Sequence, residues 1–273
     1  MRSAMARFQF HKMHGLGNDF VVIDGREVAA EISVARAAAL ADRRTGIGCD
    51  QLITLEPSNT SDVRMRIFNA DGSEVEACGN ASRCIVKLLG NAITIETNGG
   101  IISGEMTGDQ IRMDMGPPRF EWQDIPLAYA LDTAAMPLAW DDLKNPAAVN
   151  VGNPHAVFVV DDSARVDLAR LGPLIENDAI FPDRVNVNVA SVADGTIDLR
   201  VWERGVGETR ACGTGACATA AALIRQRIVS SPVTVNLKGG PLAIEWQPGE
   251  HIWMTGPASH VFTGDADWDA FPQ

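Results

Sequence analysis

Residues 208–214 read ETRACGT, and residues 74–80 read EVEACGN. Each is a glutamate, two variable residues, then Ala-Cys-Gly and a small polar residue, with the two cysteines 134 positions apart. Each stretch follows a strand-like run and opens a helix-like one. The echo continues outward. Gly17-Asn18 precedes an apolar run to Asp24, and Gly152-Asn153 precedes AVFVVDD. Counting 33 residues from each Asn lands on a carboxamide, Gln51 or Asn186. Asn18 to Cys78 is 60 residues and Asn153 to Cys212 is 59. The strand-like run before each motif ends in a polar residue nine positions ahead of its cysteine, Asn69 or Glu203. After each helix-like run come a strand-like run, a glycine pair (Gly99-Gly100, Gly239-Gly240) and, 16 residues on, Gly116 or Gly256 followed by Pro.

Self-similarity at this long period reads as two homologous domains; a solenoid would repeat every ~20–50 residues. The repeats fall near 8–118 and 148–258, joined by 119–147. As domains this predicts residues 1–118, with 263–273 returning to them, and residues 119–262. Within a repeat most segments read as strands by β-branched content, partial alternation and Gly-rich flanks, among them 8–14, 20–24, 62–68, 92–96 and 110–115. One long helix follows each Cys motif, near 80–89 and 214–227. Further helices are expected at 34–43 and 168–177, the latter interrupted at Gly172-Pro173. The fold class is α+β: two pseudo-symmetric domains, each a mostly antiparallel sheet or barrel wrapped around a central helix.

Composition bounds the function. The chain has 273 residues, 46% of them hydrophobic, which supports a sizeable core. A formal net charge of −12 argues against nucleic acid and against anionic membrane surfaces. No apolar run reaches the ~18 residues that cross a bilayer, and the N-terminus lacks the apolar core of a signal peptide. A cytoplasmic location follows as the expectation, and five cysteines there do not read as a disulfide scaffold.

Cys49, Cys84 and Cys217 fit plain packing, since cysteine usually behaves as a small buried hydrophobe. Cys78 and Cys212 differ, each standing just before Gly at a helix start. Unpaired N–H groups and the helix dipole there favour a thiolate, so a lowered pKa is expected at both. The spacings Cys-x5-Cys and Cys-x4-Cys, without a nearby His, disfavour zinc, so no metal is expected. A redox pair would need no second helix start and no matched carboxamides. Two-base proton transfer at a stereocentre does need two similar groups in mirrored positions, plus donors for the negative charge that develops on the substrate. With only four lysines and no pyridoxal phosphate motif, the simpler assumption is chemistry without a cofactor.

The segments NADGSEVEACGNASRC and ERGVGETRACGTGACA resemble the two signature motifs of diaminopimelate epimerases. GLGNDFVVID, RTGIGCDQL, VGNPHAV and FPDRVN resemble further segments of that family in family order, so the likeness covers about 8–262. It implies interconversion of LL- and meso-diaminopimelate without pyridoxal phosphate, with Cys78 and Cys212 as the acid/base pair. Gly79, Asn80, Gly213 and Thr214 would hold the reacting carboxylate, and Asn18, Gln51, Asn69, Asn153, Asn186, Glu203 and Arg204 the rest of the substrate. His155 and Glu203 would influence the sulfurs, and the protein would be a homodimer. The residue types suit these roles: Arg204 offers a planar fork to a carboxylate, and each Asn both a donor and an acceptor. Glu74 and Glu208 read as structural, capping or neutralising the helix starts. Trp202 stands where the family carries Tyr. A proline racemase or hydroxyproline epimerase is the nearest alternative, and a thiol redox protein the alternative from another class.

Overall fold

A computed structural model of the chain describes residues 7–27, 31–76 and 78–272. It divides into two compact units, residues up to Met113 together with Pro257 onward, and Asp114–Gly256. The boundaries thus fall at 113/114 and 256/257, whereas the sequence reading put them at 118/119 and 262/263. Local bonding accounts for both. Met115 N–H donates to Ile252 O, and Arg119 pairs with Asn150, which holds 114–119 to the later part of the chain. The last strand, Ser259–Asp267, pairs with the first along its length.

The first unit contains β1 (Arg7–Gly15), β2 (Asn18–Asp24), α1 (Val34–Ala41), β3 (Gln51–Glu56), β4 (Val63–Asn69), β5 (Glu74–Val75), α2 (Gly79–Leu89), β6 (Ile93–Thr97), β7 (Gly100–Thr107) and β8 (Gln110–Asp114). Antiparallel pairs join β1 to β2, β3 to β4, β4 to β5 and β6 to β7, while β2–β3 and β4–β6 are parallel. The second unit contains β9 (Ala139–Trp140), β10 (Leu143–Lys144), β11 (Ala147–Asn150), β12 (Pro154–Val159), α3 (Leu168–Glu176), β13 (Asn186–Ala193), β14 (Thr196–Glu203), β15 (Gly207–Thr209), α4 (Gly213–Arg225), β16 (Val233–Leu237), β17 (Gly240–Glu245) and β18 (Trp253–Gly256). Its ladder repeats the first: β11–β12 antiparallel, β12–β13 parallel, β13–β14 and β14–β15 antiparallel, β14–β16 parallel, β16–β17 antiparallel. The register repeats as well. Val63 pairs with Ile95 as Ile197 pairs with Val235, and Phe68 with Glu74 as Trp202 with Glu208.

The helix after each Cys motif is the centre of its unit. Ten of the 13 residues of α4 are buried, so it has no solvent face and must be enclosed by its sheet. It packs on β11–β14, β16 and β17. Its Ala run combines high helix propensity with small side chains, which lets strands approach from all sides. The first-unit counterpart, α2, buries Asn80–Val86 and packs on β1, β7 and the last strand, ending at Gly90 with φ +74°. A second helix covers the outside of each sheet. Ala37, Leu40 and Ala41 of α1 lie in a cluster with Phe10, Val21 and Leu52, and Leu168, Leu171 and Ile175 of α3 lie in one with Phe158, Val187 and Val189.

Two local expectations are corrected. Gly172-Pro173 does not interrupt α3, which runs through both residues. Gly172 serves packing: a Cβ there would lie 2.4 Å from the Trp202 ring. Glu74 and Glu208 cap no helix. Each forms a two-pronged ion pair across its strand pair, Glu74 with Arg66 and Glu208 with Arg200, at 2.8–3.0 Å. Among the described residues no helix is long and apolar enough to cross a membrane.

Candidate active site

The strand register brings the candidate residues to one end of each sheet, beside the start of its central helix. Asn18 and Gln51 open the parallel strands β2 and β3, and Asn69 closes the antiparallel β4, where it pairs with Gln51. In the second unit Asn153 immediately precedes β12, Asn186 opens β13 and Glu203 closes β14. Cys78 and Cys212 are the extended N-cap residues of α2 and α4.

In the first unit, Cys78 is half-buried, with its Sγ 3.8 Å from Asn18 Oδ1. The same oxygen accepts Asn80 Nδ2–H at 3.2 Å, and Asn18 Nδ2 donates to Asp50 Oδ2 at 3.1 Å. Asn18 therefore turns its carbonyl to the sulfur, fixed by partners on both ends of its amide. Asn80 is oriented in turn by Arg83, fully buried, whose guanidinium donates to Asn80 Oδ1 at 2.8 Å. Gln51 donates to Asn69 Oδ1 at 3.0 Å, and its own Oε1 is buried with no hydrogen-bond partner among the described residues. A buried unpaired carbonyl costs roughly 1–3 kcal/mol, so this end of Gln51 is built to receive a donor.

The second unit is arranged differently. Cys212 is 4% exposed, and its Sγ caps α4, accepting Gly215 N–H at 3.4 Å with Thr214 Oγ1 also at 3.4 Å. Burial and the adjacent Glu203 carboxylate push its pKa well above the ordinary thiol value, outweighing the bonds from Thr214 and Gly215. The lowered pKa expected from the helix start is thus overturned here. Desolvation of a fully enclosed thiolate exceeds what one turn of helix returns. Glu203 is itself raised, chiefly by burial, while Thr209 Oγ1–H donates to its Oε1 at 2.5 Å.

His155 has no exposed surface. Nε2 lies 2.8 Å from Asn153 Oδ1, and Asn188 Nδ2 lies 3.2 Å from Nδ1. A neutral ring with its proton on Nε2 satisfies both contacts, and burial lowers its pKa to about 3. The ring thus orients Asn153 by bonding. Asn186, 3% exposed, spends both ends of its amide on backbone, donating to Pro154 O and accepting Arg204 N–H, each at 2.9 Å. Arg204 Nη1 donates to Asp183 O at 2.8 Å. Gly79, Gly213 and Thr214 stand in the first turns of α2 and α4, where backbone N–H groups lack helical partners. Among the described residues no cluster of three or more His, Cys, Asp or Glu is placed to hold a metal.

Several partners in these networks escaped the sequence reading. Arg83 is a charge three residues past Asn80, the i,i+3 spacing of helix neighbours, ahead of the apolar run 84–86. Asn188 follows Asn186 by two in NVNVA, a carboxamide on the same strand face. Both signals are visible in the string, whereas nothing local marks Asp50 or Thr209.

Comparison with known proteins gives the following. A family model described as diaminopimelate epimerase matches residues 10–121 and 147–261. A diaminopimelate epimerase of Rhizorhabdus wittichii is 63% identical over 265 residues, covering 96% of this chain and 97% of the relative. One from Erythrobacter litoralis is 58% identical over 264 residues, covering 96% and 98%. Among solved structures, a phenazine biosynthesis protein of the PhzF family from Enterococcus faecalis aligns with a TM-score of 0.72 at 14% identity, covering 96% of this chain and 99% of that one. A probable proline racemase from Agrobacterium radiobacter aligns at 0.70 and 16%, covering 96% and 93%. At such identities the two structures share the fold alone.

Proposed function

Since the chain belongs to the diaminopimelate epimerase family, we propose that its duplicated thiols, Cys78 and Cys212, are the two bases of a cofactor-independent epimerisation. The protein is an isomerase that interconverts LL- and meso-diaminopimelate. One sulfur, as thiolate, removes the α-proton from one face of the carbon. The electron pair moves into the adjacent carboxylate, and the other sulfur delivers its proton to the opposite face. The observation that carries this reading is the repeated placement of a cysteine as the N-cap of a central helix. The N–H groups of Gly79, Asn80, Gly213 and Thr214 supply hydrogen bonds to the carboxylate as its charge grows.

The two environments support different resting roles. Cys212, raised by burial and by Glu203, holds its proton and suits the acid role in the direction in which Cys78 abstracts, and the roles exchange in the reverse direction. Glu203 bonds to that sulfur and modulates it electrostatically. His155 acts on the site through Asn153. Gln51, with its unpaired buried carbonyl, receives an ammonium group of the substrate, and Asn18 and Asn69 complete that side. Arg204 clamps the carboxylate distant from the reacting carbon, while Asn186 holds Arg204 by its backbone. A cytoplasmic homodimer is part of the same reading, checked by sedimentation of the purified protein.

The test is incubation with LL-diaminopimelate in deuterated water. Label entering at one α-carbon, with formation of the meso isomer, supports the proposal. Exchange on proline in its place would move the assignment to the proline racemases. That alternative is not favoured, because solved racemases match at fold level whereas diaminopimelate epimerases match at 58–63% identity. Thiol oxidation without exchange would return the redox reading.

A further inference from the structure

The turn that bears Glu203 and Arg204 is tied to a buried acid on another element of its unit. Glu176, the last residue of α3, is 5% exposed. Its Oε1 accepts Gly205 N–H at 2.8 Å and an Arg184 N–H at 3.4 Å, and its Oε2 accepts Trp202 Nε1–H at 2.8 Å. Arg184 sits in the left-handed region at φ +60°, a conformation a non-glycine residue keeps only when its surroundings enforce it. The position 135 residues earlier, the offset that relates Asn18 to Asn153 and Gln51 to Asn186, holds Ala41, the last residue of α1, which carries no acceptor side chain. The device therefore belongs to the half of the repeat that carries Glu203 and Arg204.

We propose that Glu176 is the positioning residue for the Glu203–Arg204 turn, and through it a determinant of selectivity for substrates with a second carboxylate. The inference rests on the assignment of Arg204 to that carboxylate. The peptide units on both sides of Arg204 are tied down: its own N–H to Asn186 Oδ1, and the next N–H to Glu176 Oε1. With its guanidinium on Asp183 O, the side chain is set in place before substrate arrives. Preorganisation of this kind raises affinity by removing ordering cost at the moment of binding. The same ties hold Glu203, whose acid adjoins Cys212.

A carboxylate accepts at both oxygens, whereas a carboxamide of the same shape accepts at one and donates at the other. Glu176→Gln therefore opposes a donor either to Gly205 N–H or to Trp202 Nε1–H. Two measurements test this. Hydrogen exchange on the substrate-free protein is expected to show the Gly205 amide exchanging about tenfold faster in Glu176→Gln than in the parent, with α4 protection unchanged. Kinetics with LL-diaminopimelate are expected to show KM raised about tenfold with a smaller fall in kcat. Glu176→Asp, shorter by one methylene, should not restore KM. If Glu176→Gln fails to fold, Arg184→Gly removes one donor while easing the left-handed backbone, and should raise KM about threefold. Faster exchange with unchanged KM overturns the proposal, since it assigns Glu176 to stability alone, and unchanged exchange overturns it too. A parent protein inactive on diaminopimelate but showing the exchange difference would refute the assignment of Arg204 while leaving the anchor intact.

Discussion

His155 is a buried histidine held neutral, and this gives the protein a pH-dependent weakness of known sign. Its folded pKa is about 3, below the ordinary value near 6.5. Between those limits the unfolded chain binds a proton that the folded chain refuses, so stability falls as pH drops through the window and is fully present above pH ~6.5. At ~1.4 kcal/mol per pH unit, the loss reaches several kcal/mol by pH 4. His155→Gln should therefore flatten urea-derived stability between pH 6.5 and 4; a parallel loss in the variant would contradict the assignment. Cys212 has the opposite sign, since its folded pKa lies above that of an unfolded thiol. Stability from the buried thiol is lost as pH rises past ~9, and Cys212→Ala should lessen that alkaline loss. Catalysis responds differently. Cys78→Ala and Cys212→Ala should each lower kcat by about 10³-fold or more with the circular dichroism spectrum retained, because either variant removes one of two required proton-transfer groups. Full activity in either would sink the two-base mechanism. Gly215 is a quieter case. A Cβ there would lie 3.0 Å from Val201 and 3.3 Å from the Cys212 sulfur, so Gly215→Ala should displace the sulfur and cost about tenfold in kcat.

At the level of elements, the strand pairs preceding the two Cys motifs are built to one plan. The Arg66–Glu74 and Arg200–Glu208 pairs recur at the same positions, each side chain roughly a quarter to a third exposed. Pairs so exposed contribute at most ~1 kcal/mol, so their recurrence fixes register more than it stabilises. The outer helix α3 depends on close approach. Gly172→Ala would press a methyl against the Trp202 ring, and overpacking of this kind costs ~1–3 kcal/mol. Thermal unfolding should show a lowered midpoint for that variant, with no such change in Leu174→Ala, where the side chain is exposed. The expected break at Gly172-Pro173 failed for the same reason. A local rule about glycine and proline counts lost helix bonds, and the packing of Trp202 on the bare Gly172 is not a local quantity.

For the whole molecule, the C-terminal strand is the piece on which the first unit most depends. It pairs with β1 from Arg7–Asp267 to His14–Ser259, Trp268 stacks on Phe8 at 3.9 Å, and Pro257 O accepts from the buried Arg83. Deleting residues 257–273 should remove hydrogen-exchange protection from β1 and α2 while α4 keeps its own; retained protection in β1 would contradict that dependence. The fold class was legible in the string because duplication leaves matched offsets, and offsets are one-dimensional. The same holds for the two central helices and the strand ends bearing Asn18, Gln51, Asn69 and Glu203. Folding in three dimensions decided how each group is solvated and what it bonds. Cys212 and Cys78 share a motif, yet one caps its helix, buried beside a carboxylate, while the other stands half-buried against Asn18. Glu176 and Asp50 reached the site residues through space from other elements. Helix and strand type follow from local periodicity, which a sequence carries; burial and electrostatics follow from which distant side chains arrive, which only tertiary packing sets.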